Sequence, residues 1–376
     1  MLSKRAFGAV VVVAAGVMVA AVVAGFAPSM APGPGLLRRP STDLGGQLVG
    51  VAATSTRNAW AIGGATSGSG TLVLRWNGTA WKRQSGVRGV GGQLVGVAAT
   101  SARNAWIVGA AGSGKALILR WNGTAWKRQP APSFGSGSFL NGVAAASARS
   151  AWAVGSTGSG RTLVLRWNGT AWKRQPSPNF GPGSSLTGVA AASARSAWAV
   201  GSTRAGRTLI LRWNGTAWKR QPSPNLGANS FLTGVAATSA RNAWAVGYAD
   251  AGPMGCGPCK LLILRWNGVV WRRVARLRPA SDGWILSGVA ASSGRSAWAV
   301  GDNGLGGQTL TLRWNGITWK RVPSPSPGIL PELNGVAAVA GKAWAVGRYE
   351  TSGLALKTLI LHWTGTAWKP SADHYR

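Results

Sequence analysis

Carboxylates, histidines and cysteines are scarce in this chain of 376 residues, which has seven Asp and Glu, two His and two Cys. The acids do not recur at a fixed interval; they are Asp43, Asp250, Asp282, Asp302, Glu332, Glu350 and Asp373. Glycoside hydrolysis needs a pair of carboxylates, and no such pair can be assigned here. His362 and His374 both lie near the C-terminal end, so no catalytic triad or metal cluster is evident either. We expect no catalytic residue, no metal and no cofactor, and we predict a protein that is not an enzyme.

The shortage of acids leaves a strong excess of positive charge, because 41 Lys and Arg stand against 7 Asp and Glu and give a net charge of +34. Such a chain attracts polyanions, and the attraction weakens as salt concentration rises. The candidate partners are an anionic polymer of the cell envelope, an anionic lipid surface or another exported protein. Specific nucleic-acid binding is not expected, because the N-terminus predicts export. We expect the protein to be a monomer.

The N-terminus has the features of an export signal. Lys4 and Arg5 precede an uncharged run rich in Ala, Val and Gly at residues 6–27, and small residues follow at 28–31. This pattern predicts a signal peptide over residues 1–31. The run is also long enough to span a bilayer, so an uncleaved membrane anchor is the alternative. In both cases we expect the protein outside the cytoplasm, either secreted or held by its anchor.

No stretch of the chain has the 3.6-residue period or the caps of an amphipathic helix. A repeat takes the place of helices: Leu-Arg-Trp-Asn-Gly-Thr-Ala-Trp-Lys-Arg at residues 165–174 occurs seven times, whole or slightly altered. Asn-Gly between alternating apolar runs predicts a β-hairpin with a type I′ turn, in which both central residues have positive φ. A further Trp precedes each pair, at intervals of 46 residues in five cases and 54 in one; these residues are Trp60, Trp106, Trp152, Trp198, Trp244, Trp298 and Trp344.

Each repeat contains four short apolar segments, typified by Leu-x-Gly-Val-Ala-Ala, Ala-Trp-Ala-Val-Gly, Thr-Leu-Ile-Leu-Arg-Trp and Ala-Trp-Lys-Arg-Gln. Four strands in a unit of this length are typical of a propeller blade. We therefore predict an all-β fold, a seven-bladed β-propeller with four antiparallel strands per blade over residues 47–371. The Trp rings are expected to fill the spaces between blades. Residues 32–46 are predicted to be a linker, with an extra closing strand as the alternative, and residues 372–376 a tail.

The order of these motifs resembles that of kelch-type repeats, in which a strand ending in Val-Gly is followed by an aromatic residue, a Trp and a Pro. It is more similar to a repeat of exported bacterial proteins that ends in Val-Trp-Ala-Val-Gly and Trp-Asn-Gly-Thr-x-Trp. The resemblance covers about residues 47–370 and implies a propeller like the central domain of galactose oxidase, but little about function. The copper site of that oxidase does not carry over, because it needs two His and two Tyr, and His374 and Tyr375 lie in the predicted tail.

Basic residues recur at one place in every repeat. In a four-stranded antiparallel blade, the turn between strands one and two and the turn between strands three and four lie at the same end. The first of these turns carries a cation in each repeat, and these are the candidate ligand-binding residues: Arg57, Arg103, Arg149, Arg195, Arg241, Arg295 and Lys342. We expect them to ring one mouth of the channel and to dock an anionic polymer or surface. The alternative is that the basic residues at this end are solvated turn and edge residues, some of them stacked on Trp. Partner contact would then use the longer loops of the opposite face, such as residues 179–185 and 248–260.

Two further expectations concern chemistry. The motif Cys256-Gly257-Pro258-Cys259-Lys260 resembles the thioredoxin active-site loop, whose first Cys requires a helix N-terminus to lower its pKa. Here a strand is predicted to follow, so we predict a local disulfide between Cys256 and Cys259.

The competing functional hypothesis is an enzyme, a lyase or hydrolase with its site at the channel mouth. A cluster of Asp302, Glu332 and Glu350 around one pocket would support it.

Overall fold

A computed structural model of the chain describes residues 45–65, 70–85, 87, 91–224, 227, 229–249, 259–274, 283–304 and 307–371. Within these ranges the protein is all-β, with 28 strands and no helix. The strands form seven four-stranded antiparallel sheets, and each sheet consists of four strands consecutive in the chain. The predicted fold class, a seven-bladed β-propeller with four strands per blade, is therefore confirmed.

The strands occupy equivalent positions in the seven blades. The first strands are β1 (Gly46–Ser55), β5 (Gly92–Ser101), β9 (Phe139–Ser147), β13 (Ser185–Ser193), β17 (Ser230–Ser239), β21 (Ile285–Ser293) and β25 (Ile329–Val339). The second strands are β2 (Asn58–Ala65), β6 (Asn104–Ala111), β10 (Ser150–Ser156), β14 (Ser196–Ser202), β18 (Asn242–Ala249), β22 (Ser296–Asp302) and β26 (Lys342–Glu350). The third strands are β3 (Thr71–Trp76), β7 (Ala116–Trp121), β11 (Thr162–Trp167), β15 (Thr208–Trp213), β19 (Lys260–Trp266), β23 (Thr309–Trp314) and β27 (Leu356–Trp363). The fourth strands are β4 (Trp81–Arg83), β8 (Trp126–Arg128), β12 (Trp172–Arg174), β16 (Trp218–Gln221), β20 (Trp271–Arg273), β24 (Trp319–Arg321) and β28 (Trp368–Pro370).

The first strands line the axis, because each of them contacts the first strand of both neighbouring blades. The ring closes where β1 packs against β25, so each blade is one continuous piece of chain. Side-chain hydrogen bonds join several neighbouring first strands. Across the closure, Asn334 Nδ2 donates to the carbonyl oxygen of Leu48 at 3.0 Å, and Thr187 Oγ1 donates to that of Leu232 at 2.6 Å between the fourth and fifth blades.

A belt of glycines allows the first strands to approach one another this closely. A Cβ added to Gly96 would lie 3.1 Å from the Cα of Gly142, and one added to Gly335 would lie 3.2 Å from the Cα of Gly50. A neighbouring strand would have to shift to admit any larger side chain. The same close approach, with the nearest atom at 3.1–3.3 Å from an added Cβ, holds for Gly96, Gly142, Gly288 and Gly335. The belt, in which Gly precedes Val-Ala in every repeat, is completed by Gly50, Gly188 and Gly234, where an added Cβ would lie 3.4 Å from its nearest neighbour.

Indole rings fill the junctions between blades, as predicted. Trp198 is fully buried, and its ring centroid lies 4.8 Å from that of Trp266 and 5.0 Å from that of Trp271 in the next blade. The second contact is edge-to-face, a geometry that aromatic quadrupoles favour. The same triplet of rings recurs at six junctions. The closing junction is looser, because Trp344 and Trp76 lie 6.4 Å apart.

The hairpin between strands three and four differs from the prediction. The first and second Trp of each pair are directly opposite in the ladder, so the loop holds four residues rather than two, as between Trp76 and Trp81. Gly78 has a φ of 106°, but the φ of Asn77 is not positive. The turn is therefore not type I′, which needs positive φ at both central residues. Asn77 instead closes the loop through its side chain, whose Oδ1 accepts hydrogen bonds from the backbone N–H of Thr79 and Ala80.

Several predictions concern residues outside the described ranges: the signal peptide or anchor at residues 1–31, the linker or extra strand up to residue 44, and the tail at residues 372–376. The described chain starts at Gly45, which forms an isolated antiparallel bridge with Lys357 of β27. None of the described segments is a helix long and apolar enough to cross a membrane.

Candidate functional site

The blades have two ends that differ in their connections. The turns between strands one and two and between strands three and four share one end, here named the turn end. Within the first blade they touch, since a Cβ added to Gly78 would lie 3.2 Å from Arg57 Cγ. The connections between strands two and three, and those between blades, share the other end, here named the loop end. Backbone hydrogen bonds join neighbouring blades there, for example from Gly137 N to Gly114 O at 2.8 Å.

The predicted ligand-binding residues all lie at the turn end and are named the turn cations. The six arginines among them are exposed; they are Arg57, Arg103, Arg149, Arg195, Arg241 and Arg295. In each of these blades the aliphatic part of the arginine lies beside the glycine of the strand three–four turn. These arginines therefore lie against the strand three–four turns of their own blades, and their predicted ring at one mouth of the channel stays a prediction. Lys342, which is half-buried, donates from Nζ to the carbonyl oxygen of Thr364 at 3.1 Å.

A second set of arginines, on the third strands, belongs to the framework. The guanidinium carbon of Arg166 lies 5.2 Å from the ring centroids of both Trp152 in its own blade and Trp213 in the next. Such a cation between two indoles is attracted by both ring faces. The equivalent Arg120 also donates to the carbonyl oxygen of Ala148 at 3.3 Å in the next blade. The stacking alternative is thus confirmed for these strand-three arginines: Arg75, Arg120, Arg166, Arg212, Arg265 and Arg313.

The turn end also has like charges that face each other across the sheet. Arg120 is directly opposite Lys127 in the ladder of the second blade. With Arg103, these two side chains line a cleft of about 530 Å³ that reaches Ala148 of the third blade. The same pairing of two cations recurs in the first six blades, as in Arg166 and Lys173. Like charges directly opposite one another destabilise a sheet, and none of the described residues at this end is a carboxylate that could offset them.

The loop end carries the differences between blades. The residue that follows Val-Gly or its equivalent in strand two changes from blade to blade; in order it is Gly64, Ala110, Ser156, Ser202, Tyr248, Asp302 and Arg348. In the fifth blade Tyr248 contacts Phe231, with ring centroids 5.5 Å apart. A cleft of about 400 Å³ lies at this end of the third blade and is lined by residues that include Arg161 and Arg174.

The three acids among the described residues meet at the loop end around Arg348, a residue that the sequence alone did not single out. Arg348 Nε and Nη2 donate to the two carboxylate oxygens of Glu332, each at 2.8 Å, and Nη1 donates to Gln47 Oε1 at 3.4 Å. Asp302 and Glu350 also interact electrostatically with Arg348. The group therefore spans the sixth, seventh and first blades. The signal that could have located it was the change of residue after Val-Gly in strand two.

Asp302 has an unusual environment within this group. The residue is 5% exposed, and its Oδ1 accepts a hydrogen bond from Gly304 N at 2.8 Å. Burial removes water from the carboxylate and raises the pKa of Asp302 to about 7, with the nearby charge of Glu332 acting in the same direction. A carboxyl group that titrates near neutrality can exchange a proton with a bound molecule, so this group has features that the enzyme hypothesis requires.

The remaining candidate chemistry is not brought together by the fold. Cys259 is half-buried just before β19, but Cys256 lies outside the described residues, so their disulfide stays a prediction. His362 takes the place of a strand-three arginine in the last blade and packs 5.5 Å from Trp344. Burial lowers the pKa of His362, and the charge of Lys342 lowers it further. Over the ranges that the structure covers, no group of three or more His, Cys, Asp or Glu is arranged to hold a metal ion.

Comparisons with known proteins show the fold and nothing finer. No protein-family model and no curated protein matches the chain. Among solved structures, the BP39L lectin from Burkholderia pseudomallei matches with a TM-score of 0.58 and 15% identity over 87% of this chain and 98% of the lectin. The GH74 xyloglucanase from Xanthomonas campestris matches with a TM-score of 0.57 and 15% identity over 84% of this chain, which spans only 54% of the enzyme. YCF48 from Cyanidioschyzon merolae matches with a TM-score of 0.53 and 18% identity over 84% and 96% of the two chains.

These three similar structures include a lectin and an enzyme. Their identities are too low to transfer a ligand or a reaction. None of them is a kelch-type or galactose-oxidase propeller, so the finer resemblance to those families stays a proposal. What this chain has in common with them is the propeller architecture.

Proposed function

We propose that this protein is a non-catalytic binding module of the extracytoplasmic space that docks an anionic polymer or surface of the cell envelope through its turn end. The observation that carries the proposal is the repetition of exposed cations at this end, with no carboxylate among the described residues to neutralise them. The similarity to a lectin fold is compatible with a binding role. Export is expected from the N-terminal sequence.

The energetics of the turn end support a binding role. Seven turn cations stand beside six strand-three arginines, and six of the strand-four cations face those arginines directly. The strand-three arginines are explained by their stacking, but the turn arginines and strand-four lysines are exposed and gain little from the fold. Mutual repulsion among them costs free energy that a bound polyanion would recover. Because the arrangement repeats around the ring, a polymer could engage several blades at once and gain avidity.

The test compares two variants of the full chain with equal loss of charge. The first replaces five turn cations with Gln: Arg57, Arg103, Arg149, Arg195 and Arg241. The control replaces five exposed cations of the loop end with Gln: Lys115, Arg161, Arg204, Arg207 and Lys260. We expect the first variant to elute from a heparin column at clearly lower salt than the control, and to lose at least roughly tenfold in affinity for an anionic envelope polymer. Equal behaviour of the two variants would show that total charge alone governs binding.

A second candidate function, a propeller enzyme of the lyase or hydrolase class, is favoured by the environment of Asp302. Here Asp302 would exchange the proton, and the Arg348–Glu332 ion pair would orient the ligand. An activity screen against anionic and neutral polysaccharides, with Asp302→Asn as the comparison, tests it. Turnover that disappears in the Asn variant supports the enzyme, and absence of turnover across the screen leaves the binding module as the better account.

A further inference from the structure

Two neighbouring blades carry exposed apolar side chains at the turn end. Val269 is 77% exposed and Val270 41% exposed in the strand three–four turn of the fifth blade, and Ile317 is 84% exposed in that of the sixth. In the other five blades the equivalent residues are Thr and Ala. The apolar residues therefore stand at the same end as the turn cations and on adjacent blades.

The fold does not require these apolar residues. The backbone N–H groups of Val269 and Val270 donate to Asn267 Oδ1 at 3.0 and 2.9 Å, the same distances that Thr79 and Ala80 have to Asn77. Valine even lacks a bond that threonine makes, because Thr79 Oγ1 also donates to Asn77 Oδ1 at 2.9 Å. At Val269 and Ile317 an exposed β-branched apolar side chain thus replaces a polar one with no gain in hydrogen bonding.

Cations lie directly beside both turns. A Cβ added to Gly268 would lie 3.5 Å from the Cβ of Arg241, and one added to Gly316 would lie 3.5 Å from the Cβ of Arg295. Apolar residues flanked by arginine match the boundary of an anionic bilayer, where phosphate groups lie above hydrocarbon. A soluble polyanion offers charge but no apolar phase. Charge complementarity and exposed apolar area together therefore favour a lipid surface.

We infer that the anionic surface docked by the turn end is a lipid bilayer, and that the turns of the fifth and sixth blades insert Val269, Val270 and Ile317 among its headgroups. This inference rests on the proposed function, because the turn cations supply the attraction to the bilayer. The insertion of two adjacent blades gives the docked propeller a defined tilt, with those blades closest to the membrane.

Local footprinting of the full chain tests the insertion. Hydroxyl radicals modify exposed aliphatic side chains, so their yield at each residue reports its exposure with vesicles present. We expect vesicles of phosphatidylglycerol and phosphatidylcholine to reduce modification of Val269 and Ile317 several-fold, whereas phosphatidylcholine alone does not. Leu354, which is 75% exposed at the loop end, is the internal control and should keep its yield. Unchanged yields at Val269 and Ile317, or equal protection of Leu354, would overturn the inference.

A matched variant separates this inference from the proposed function. The variant combines three substitutions. In the fifth blade Val269→Thr and Val270→Ala restore the Thr-Ala pair of the first four blades, and in the sixth blade Ile317→Thr restores the Thr that those blades have at the equivalent position. We expect the affinity for anionic vesicles to fall roughly tenfold, with retention on heparin unchanged. An unchanged affinity for anionic vesicles would overturn lipid insertion while leaving polyanion docking intact. A loss of heparin retention equal to the vesicle effect would also overturn it, because the turns would then act without a bilayer.

Discussion

The turn end and the loop end are made by the same seven repeats, yet the repeat is kept far more strictly at the turn end. Each strand one–two turn there carries a cation, and each strand three–four turn a glycine after Asn or, in the last blade, Thr364. At the loop end the residue after strand-two glycine varies from Gly64 to Arg348. The comparison indicates that the fold constrains the Asn and Gly of the strand three–four turns, whereas it does not require the exposed turn arginines and leaves the loop end free to diverge.

The physical reason lies in how many tasks each turn residue performs. Asn77 caps its loop through its side chain, Gly78 has a φ of 106°, and Trp76 Nε1 donates to the carbonyl oxygen of Thr56 in the neighbouring turn at 3.0 Å. Substitution of any of them would disturb the others. Asp302 and Glu332, by contrast, occupy strand-end positions that other blades fill with small, aromatic, aliphatic, amide or basic residues.

The repeated indole junction gives the largest expected effect. Trp198→Ala should lower the free energy of unfolding by about 3–5 kcal/mol, because it removes a fully buried indole that contacts two indoles and a guanidinium. Trp284→Ala at the loop end should cost at least about 1 kcal/mol less, since that ring is 8% exposed and lies outside the repeated triplet. Denaturant unfolding measures both. Equal losses of unfolding free energy in the two variants would show that the repeated indole junctions are no more important for stability than the loop end.

The loop end should dominate the pH dependence of stability between about pH 4 and pH 7. The pKa of Asp302 is raised to about 7 in the folded protein from 3.8, so the native state holds a proton that the unfolded state has lost. Stability is therefore highest below the unfolded pKa and falls, by on the order of 1 kcal/mol per pH unit, as pH rises toward 7. Asp302→Asn should abolish this fall in thermal-melting experiments. His362, with its lowered pKa, contributes with the opposite sign, and a fall that persists in the Asn variant would contradict the assignment.

A smaller effect distinguishes two arginines of the same blade. Arg166 stacks between Trp152 and Trp213 at the turn end, whereas Arg161 is exposed at the loop end. We expect Arg166→Gln to cost about 1–2 kcal/mol in the free energy of unfolding and Arg161→Gln less than about 0.5 kcal/mol. The two substitutions are chemically identical but lie at opposite ends of the blade. If their costs in the free energy of unfolding differ by less than experimental error, the strand-three arginines have no structural role.

The fold was predictable because its signals are local and repeated. Ala-Trp-Ala-Val-Gly and the paired Trp residues identify strands, and their interval of 46 residues identifies a blade. The turn type was mispredicted, since Asn-Gly is typical of a two-residue loop, while the ladder pairs Trp76 with Trp81 and leaves four residues between them. The hydrogen bonds accepted by the Asn77 side chain decide the geometry of this loop. The preference of Asn-Gly for positive φ does not predict those hydrogen bonds.

The candidate sites were predictable only in part. A repeat places Arg57 and its equivalents at one end once the blade topology is known. The group of Asp302, Glu332 and Arg348 could not be assembled from sequence alone, because it joins the second strand of the sixth blade to the first two strands of the seventh and depends on a bidentate ion pair. The sandwich of Arg166 between two blades likewise depends on the distance between them, which follows from the glycine belt along the axis.

The salt dependence of polyanion binding tests the central claim most directly, because the slope of log affinity against log salt concentration counts the cations that contact the polymer. If the turn end is the docking surface, neutralising five turn arginines should reduce the magnitude of that slope by about one for each cation removed from contact. Replacement of five loop-end cations with Gln should leave the slope unchanged. Equal slopes for the two variants would contradict the account.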